Sequence, residues 1–114
     1  MLYPIISFLI SIWFSVQTPT DLIDWNVNRK LKWEDFKGNP DPTSSNAALT
    51  SSNIKVAFGY NKSQLQYSIQ CRFDKNHSWA KLKNDYILAH EQGHFDIAEI
   101  HARILNKALK DYVF

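Results

Sequence analysis

Two alternating segments joined by a short polar link constrain this chain more than any other feature. In the first, Ile54, Val56, Phe58 and Tyr60 alternate with Lys55, Ala57 and Gly59. In the second, Leu65, Tyr67, Ile69, Cys71 and Phe73 alternate with Gln66, Ser68, Gln70 and Arg72. Successive side chains of a strand point to opposite faces, so each segment gathers its large apolar groups on one side. The link Asn61-Lys62-Ser63-Gln64 is short and polar, which predicts an antiparallel hairpin. A lone hairpin is marginal in water, so another part of the chain must cover its apolar face.

The cover is expected from the C-terminal third. Between Trp79 and Tyr112 there is no proline and a single glycine, Gly93, which predicts one long helix. Ser78 reads as its N-cap, with Asn84-Asp85 as an alternative start. Leu82, Tyr86, Ala89, Gly93, Ile97, Ile104 and Ala108 recur at spacings of three, four or seven and are expected to form the stripe facing the sheet. Glu99 and Arg103 stand in the favourable i,i+4 order. Upstream, Leu22 to Val27 reads as a short edge strand, and Asn39 to Asn46, with two prolines, as a loop. The expected fold is α+β: a small antiparallel β-meander or hairpin packed on one long C-terminal helix, forming a single domain over residues 18–114.

Composition narrows the function classes. With 45% hydrophobic and 14% aromatic residues the chain has ample surface to bury, which excludes disorder. A net charge of +2 excludes electrostatic capture of nucleic acid as the main activity, and no glycine-rich phosphate loop is present. The one cysteine, Cys71, falls at an inward strand position and is expected to be a buried, inert thiol. Residues 1–16 carry no charge, and the run Leu2 to Val16 is shorter than the roughly 20 residues a bilayer span requires. It matches the apolar core of a signal peptide, so residues 1–17 are expected to be a leader cut near the small residues Ser15 and Thr18. The expected location is secreted or periplasmic, in the cell envelope, with no stable membrane span after leader removal.

The helix contains His90-Glu91-Gln92-Gly93-His94. Histidines at i and i+4 lie one turn apart on one face, so both imidazoles can reach a single zinc ion. Glu91 follows the first of them and is the candidate general base, taking a proton from the attacking water and delivering it to the leaving amine. Gly93 costs about 1 kcal/mol against alanine inside a helix. It is expected to admit close approach of a neighbouring strand or of substrate backbone. A third ligand is not evident. The extended form HExxHxxGxxH is absent, because Ile97 and Ile100 occupy its glycine and last histidine positions. His77, Glu99 and His101 are the weak candidates. His101 lies two turns beyond His94, about 10 Å along the axis of a straight helix, and reads as a boundary residue.

The run Tyr86-Ile-Leu-Ala-His90-Glu-Gln-Gly-His94-Phe-Asp-Ile-Ala-Glu99-Ile-His-Ala-Arg103 resembles the bacterial domain-of-unknown-function 922 family, described as secreted zinc-dependent proteases. Leu31-Lys-Trp33-Glu-Asp35-Phe36-Lys-Gly38-Asn-Pro40 is similar to that family's N-terminal signature, and Ala48-Leu-Thr50-Ser-Ser-Asn-Ile54 to its following strand. Ser78-Trp79 fits as well, so the resemblance covers most of residues 18–114. It implies a zincin-like arrangement with zinc at His90 and His94, a catalytic Glu91 and a peptide or protein substrate. Asp96 and Glu99 match as residues around the site, and Trp33, Asp35, Phe36 and Gly38 as residues of a packed loop. Family members are expected to continue into a further segment with histidine and acidic residues, so a C-terminal truncation at Phe114 is expected here. A second reading stays open: a non-catalytic envelope or secreted binding module with a degenerate zinc site.

Overall fold

The computed structural model describes residues 21–112, and the leader expected over residues 1–17 lies outside them. The chain runs through β1 (Leu22–Asp24), β2 (Ala48–Leu49), β3 (Ser52–Asn61), β4 (Gln64–Asp74) and β5 (Trp79–Ala80) to a single long helix, α1 (Asp85–Asp111). Short 3-10 turns at Trp33–Asp35 and Lys75–His77 punctuate the connections. The architecture is α+β, a small antiparallel sheet packed against the C-terminal helix.

The expected hairpin forms over its whole length, from Ser52 opposite Phe73 to Asn61 opposite Gln64. Its two-residue turn places Lys62 and Ser63 at φ of 53° and 72°, the left-handed pair that matches the twist of the flanking strands. β1 adds to the far side of β4, so the three-stranded order is β1-β4-β3, and β2 pairs with β5 in a separate two-stranded sheet.

The core is a row of rings between sheet and helix. Trp33 meets Phe36 at 4.9 Å, Phe36 meets Phe73 at 5.0 Å, and Phe73 meets Phe95 of α1 at 5.6 Å between centroids. Phe73 and Phe95 are fully buried, with Ile23, Leu31, Cys71 and Ala102 completing the cluster. Cys71 is buried, and its thiol is pushed up to about 11 by burial, with the Glu99 charge adding to the effect.

The helix takes the second of the two starts the sequence offers: it begins at Asp85, capped by the Asn84 side chain accepting from Ile87 N at 2.8 Å, and not at Ser78. Trp79–Ala80 are instead paired with β2, and the fully buried Ser78 hydroxyl ties two strands together. The sheet-facing stripe is not the expected one. Leu88, Glu91, Phe95, Ala98 and Ala102 face inward, whereas Leu82, Tyr86, Ile97 and Ile104 of the expected stripe are exposed. The stripe actually buried contains small residues, which let the helix approach the sheet closely around Phe95. Gly93 lies on the open side: a Cβ built there meets nothing within 4 Å, so no strand approaches it.

The loop after β1 is held by charge as well as by its rings. Asp35 is buried and receives two hydrogen bonds from Arg29, at 2.8 and 3.0 Å, and one from Lys32 N at 2.8 Å. Lys75 stands 3.9 Å away. Burial pushes the Asp35 carboxyl up, but the Arg29 and Lys32 hydrogen bonds and the Arg29 and Lys75 charges together hold it below its ordinary value. Gly38 N donates to Ser78 O at 2.7 Å. A Cβ at Gly38 would lie 2.7 Å from Asn76 O and 2.9 Å from Ser78 O, so only glycine fits this close crossing of two backbones.

Candidate metal centre

His90, Glu91 and His94 project from the second and third turns of α1. Both histidines are exposed and Glu91 is buried. With about 100° between successive residues, Glu91 points toward the sheet while the histidines occupy the helix flank. The histidines therefore do not face the sheet but open on a cleft beside it. That cleft, about 580 Å³, lies between the N-terminal half of α1 and the segment running through β2. Ala48, Leu49 and Thr50 form one wall and Tyr86, His90, Glu91 and His94 the other. Its size is that of a small-ligand or side-chain site.

The two rings meet edge to face, with an interplanar angle of 89°. Their Nε2 atoms are 3.1 Å apart. Two nitrogens on one tetrahedral zinc, at roughly 2.0–2.1 Å each, sit roughly 3.3 Å from one another. The pair thus already holds its donor atoms at a spacing one ion can bridge, with little rearrangement. A ligand atom from each of His90, Glu91 and His94 falls within 4.8 Å of the others, and among the described residues no other group of three His, Cys, Asp or Glu side chains converges in this way.

None of the three further candidates joins them. His77, on the turn before β5, is exposed, and its Nδ1 pairs with Asp74 Oδ2 at 2.8 Å. Glu99 takes Arg103 Nε at 2.7 Å within its own helix. His101 donates from Nδ1 to Ile97 O at 3.0 Å, within its own helix.

The surroundings hold the motif in place. Asp96 accepts from Trp25 Nε1 and from Gln92 Nε2, both at 2.9 Å, and Gln92 Oε1 accepts from Leu31 N at 2.8 Å. The segment after β1 is thereby tied to the turns of α1 that carry the histidines. Trp33, Phe36, Asp35 and Gly38 build this support and do not line the cleft. The sequence reading missed Thr50, whose hydroxyl donates to Glu91 Oε1 at 2.6 Å. No periodicity or motif links a strand junction to a helix residue 41 positions away.

No protein-family model matches the chain, and comparisons with curated proteins and with solved structures return no match. Among the described residues, no helix is long and apolar enough to cross a membrane.

Proposed function

We propose that the protein is an exported zinc-dependent metallopeptidase. The observation that carries this reading is the His90–His94 pair at 3.1 Å beside a buried carboxylate in an open cleft. Zinc held by the two imidazoles would supply Lewis acidity to the scissile carbonyl and acidify water at neutral pH. Glu91 performs the proton transfers. It takes one proton from the attacking water as the oxygen bonds to the carbonyl carbon, and delivers it to the amine nitrogen as the C–N bond breaks.

The β2 wall supplies a place for the substrate backbone. Lys81 N donates to Ala47 O, which makes that pair the hydrogen-bonded one and turns the Ala48 N–H and C=O away from β5. Those two groups are left unpaired by β5 and, on the proposed reading, are assigned to an extended substrate backbone. The likeness of the helix run to domain-of-unknown-function 922 sequences and the uncharged apolar run Leu2 to Val16 support the same reading, including export.

The test is zinc content by elemental analysis of the purified protein together with cleavage of unfolded casein. Wild type is expected to hold one zinc per chain and to cleave. His90→Ala loses the metal, and Glu91→Gln keeps it while turnover falls by about 100-fold or more. Wild type without zinc overturns the proposal. A binding module is the second reading, favoured by the failure of His77, Glu99 and His101 to approach the pair. Wild type that holds zinc and cleaves nothing selects it.

A further inference from the structure

We infer that Thr50 is the positioning residue for the general base: its hydroxyl selects which oxygen of Glu91 faces the histidines. This rests on the peptidase reading and adds a residue to it. Thr50 joins β2 to β3 and stands in the wall of the cleft opposite α1. Its Oγ1 lies 2.6 Å from Glu91 Oε1 and 3.5 Å from Glu91 O, and the difference decides the partner. The shorter contact falls in the range of a hydroxyl donating to an ionised carboxylate, and the longer one is at the limit of a hydrogen bond. A hydroxyl has one proton to give. Oε1 carries that bond, whereas Oε2 has no hydrogen-bond partner among the described residues, so Oε2 is the freer oxygen for an incoming water.

The neighbours of Thr50 show that its direction is imposed. Ser51 N donates to Ser78 Oγ at 2.9 Å, and Ser78 Oγ donates to Asp74 O at 2.7 Å. Asp74 N returns a hydrogen bond to Ser51 O at 2.8 Å, and Gly38 N closes the far side on Ser78 O at 2.7 Å. The buried Ser78 hydroxyl therefore spends both its donor and its acceptor roles on fixing the backbone one residue from Thr50. Glu91 is fixed from the helix side, being buried between α1 and this junction. A buried carboxylate held by that hydroxyl turns less freely, and a base that turns less spends less of its time misaligned with the attacking water.

The hydroxyl, not the bulk of the side chain, is the active part of this arrangement, which gives a discriminating experiment. Thr50→Val keeps the shape and removes the donor, and Thr50→Ser keeps the donor and removes the methyl. Zinc content, kcat and KM for a quenched fluorescent peptide are measured on the full chain. Thr50→Val is expected to keep its zinc and its KM while kcat falls about 10- to 100-fold, the effect usual for a group orienting a catalytic residue. Thr50→Ser is expected to restore kcat to within a few-fold of wild type. Should the valine variant fail to fold, Thr50→Ala compared with Thr50→Ser isolates the same hydroxyl. Equal kcat in wild type and Thr50→Val, or a loss shared with zinc content or KM, overturns the role of Thr50 and leaves the peptidase reading standing. Wild type with neither zinc nor cleavage overturns both.

Discussion

At the scale of single residues, two glycines have opposite meanings. Gly38 sits where two backbones nearly touch, and any Cβ there meets carbonyl oxygens that cannot rotate aside. Gly93 sits in the middle of α1 facing open space, and carries only the helix penalty of a residue without a side chain. Gly93→Ala is therefore expected to raise stability by about 0.5–1 kcal/mol, and Gly38→Ala to lower it by about 1–3 kcal/mol. Urea denaturation of the two variants beside wild type checks both signs. If Gly93→Ala instead keeps its stability gain but loses turnover, the open side of Gly93 is where substrate passes. The histidine pair was legible in the sequence for a simple reason: both residues belong to one element whose repeat fixes their separation. Glu91's partner was not, because Thr50 reaches it only through tertiary structure.

At the scale of elements, the strands were the more readable part and the helix the less. Alternation admits two faces, and only one of them, Ile54–Val56 with Ile69–Cys71–Phe73, is apolar at the covered end of the hairpin. α1 carries large apolar residues nearly all round, so spacing alone permits two stripes. The stripe with the bulkier isoleucines stays outside, because Phe73 offers a socket for one large ring and small residues around it allow that ring to enter. Phe95 fills the socket. Phe95→Ala should cost about 3–5 kcal/mol, whereas Ile97→Ala, at 54% exposure, should stay within about 1 kcal/mol. Chemical denaturation midpoints of the two variants test the assignment, and a larger loss for Ile97→Ala would return the helix to the stripe first expected. The β5 pairing escaped the sequence because two-residue strands carry no periodicity.

At the scale of the whole molecule, one buried charge sets part of the acid limit. Asp35 anchors the loop that supports α1, and its carboxyl is held below its ordinary value. A group depressed on folding adds stability that is complete above its unfolded value, about 3.9, and is lost as pH falls from there through the lower folded value. Asp35→Asn is expected to be less stable than wild type at pH 7, with the gap closing as pH is taken to about 3 and below. Thermal unfolding of both proteins from pH 7 to pH 2.5 measures the gap. A gap that is constant or widens on acidification contradicts the Arg29–Asp35 account.

The histidine pair comes from neighbouring turns of one helix, whereas the grip on Glu91 comes from a junction 41 residues upstream. On the proposed reading, the first is a local property and the second a global one, so they need not arise together as the chain folds. A partly folded chain with only α1 in place already presents two imidazoles to an ion. Zinc then also lowers the free energy of incompletely folded states, and raises the stability of the finished fold by less than its affinity alone implies. If the peptidase reading holds, such a chain would gain its metal before its oriented base, and would pass through an interval in which it is metallated but not yet able to cut.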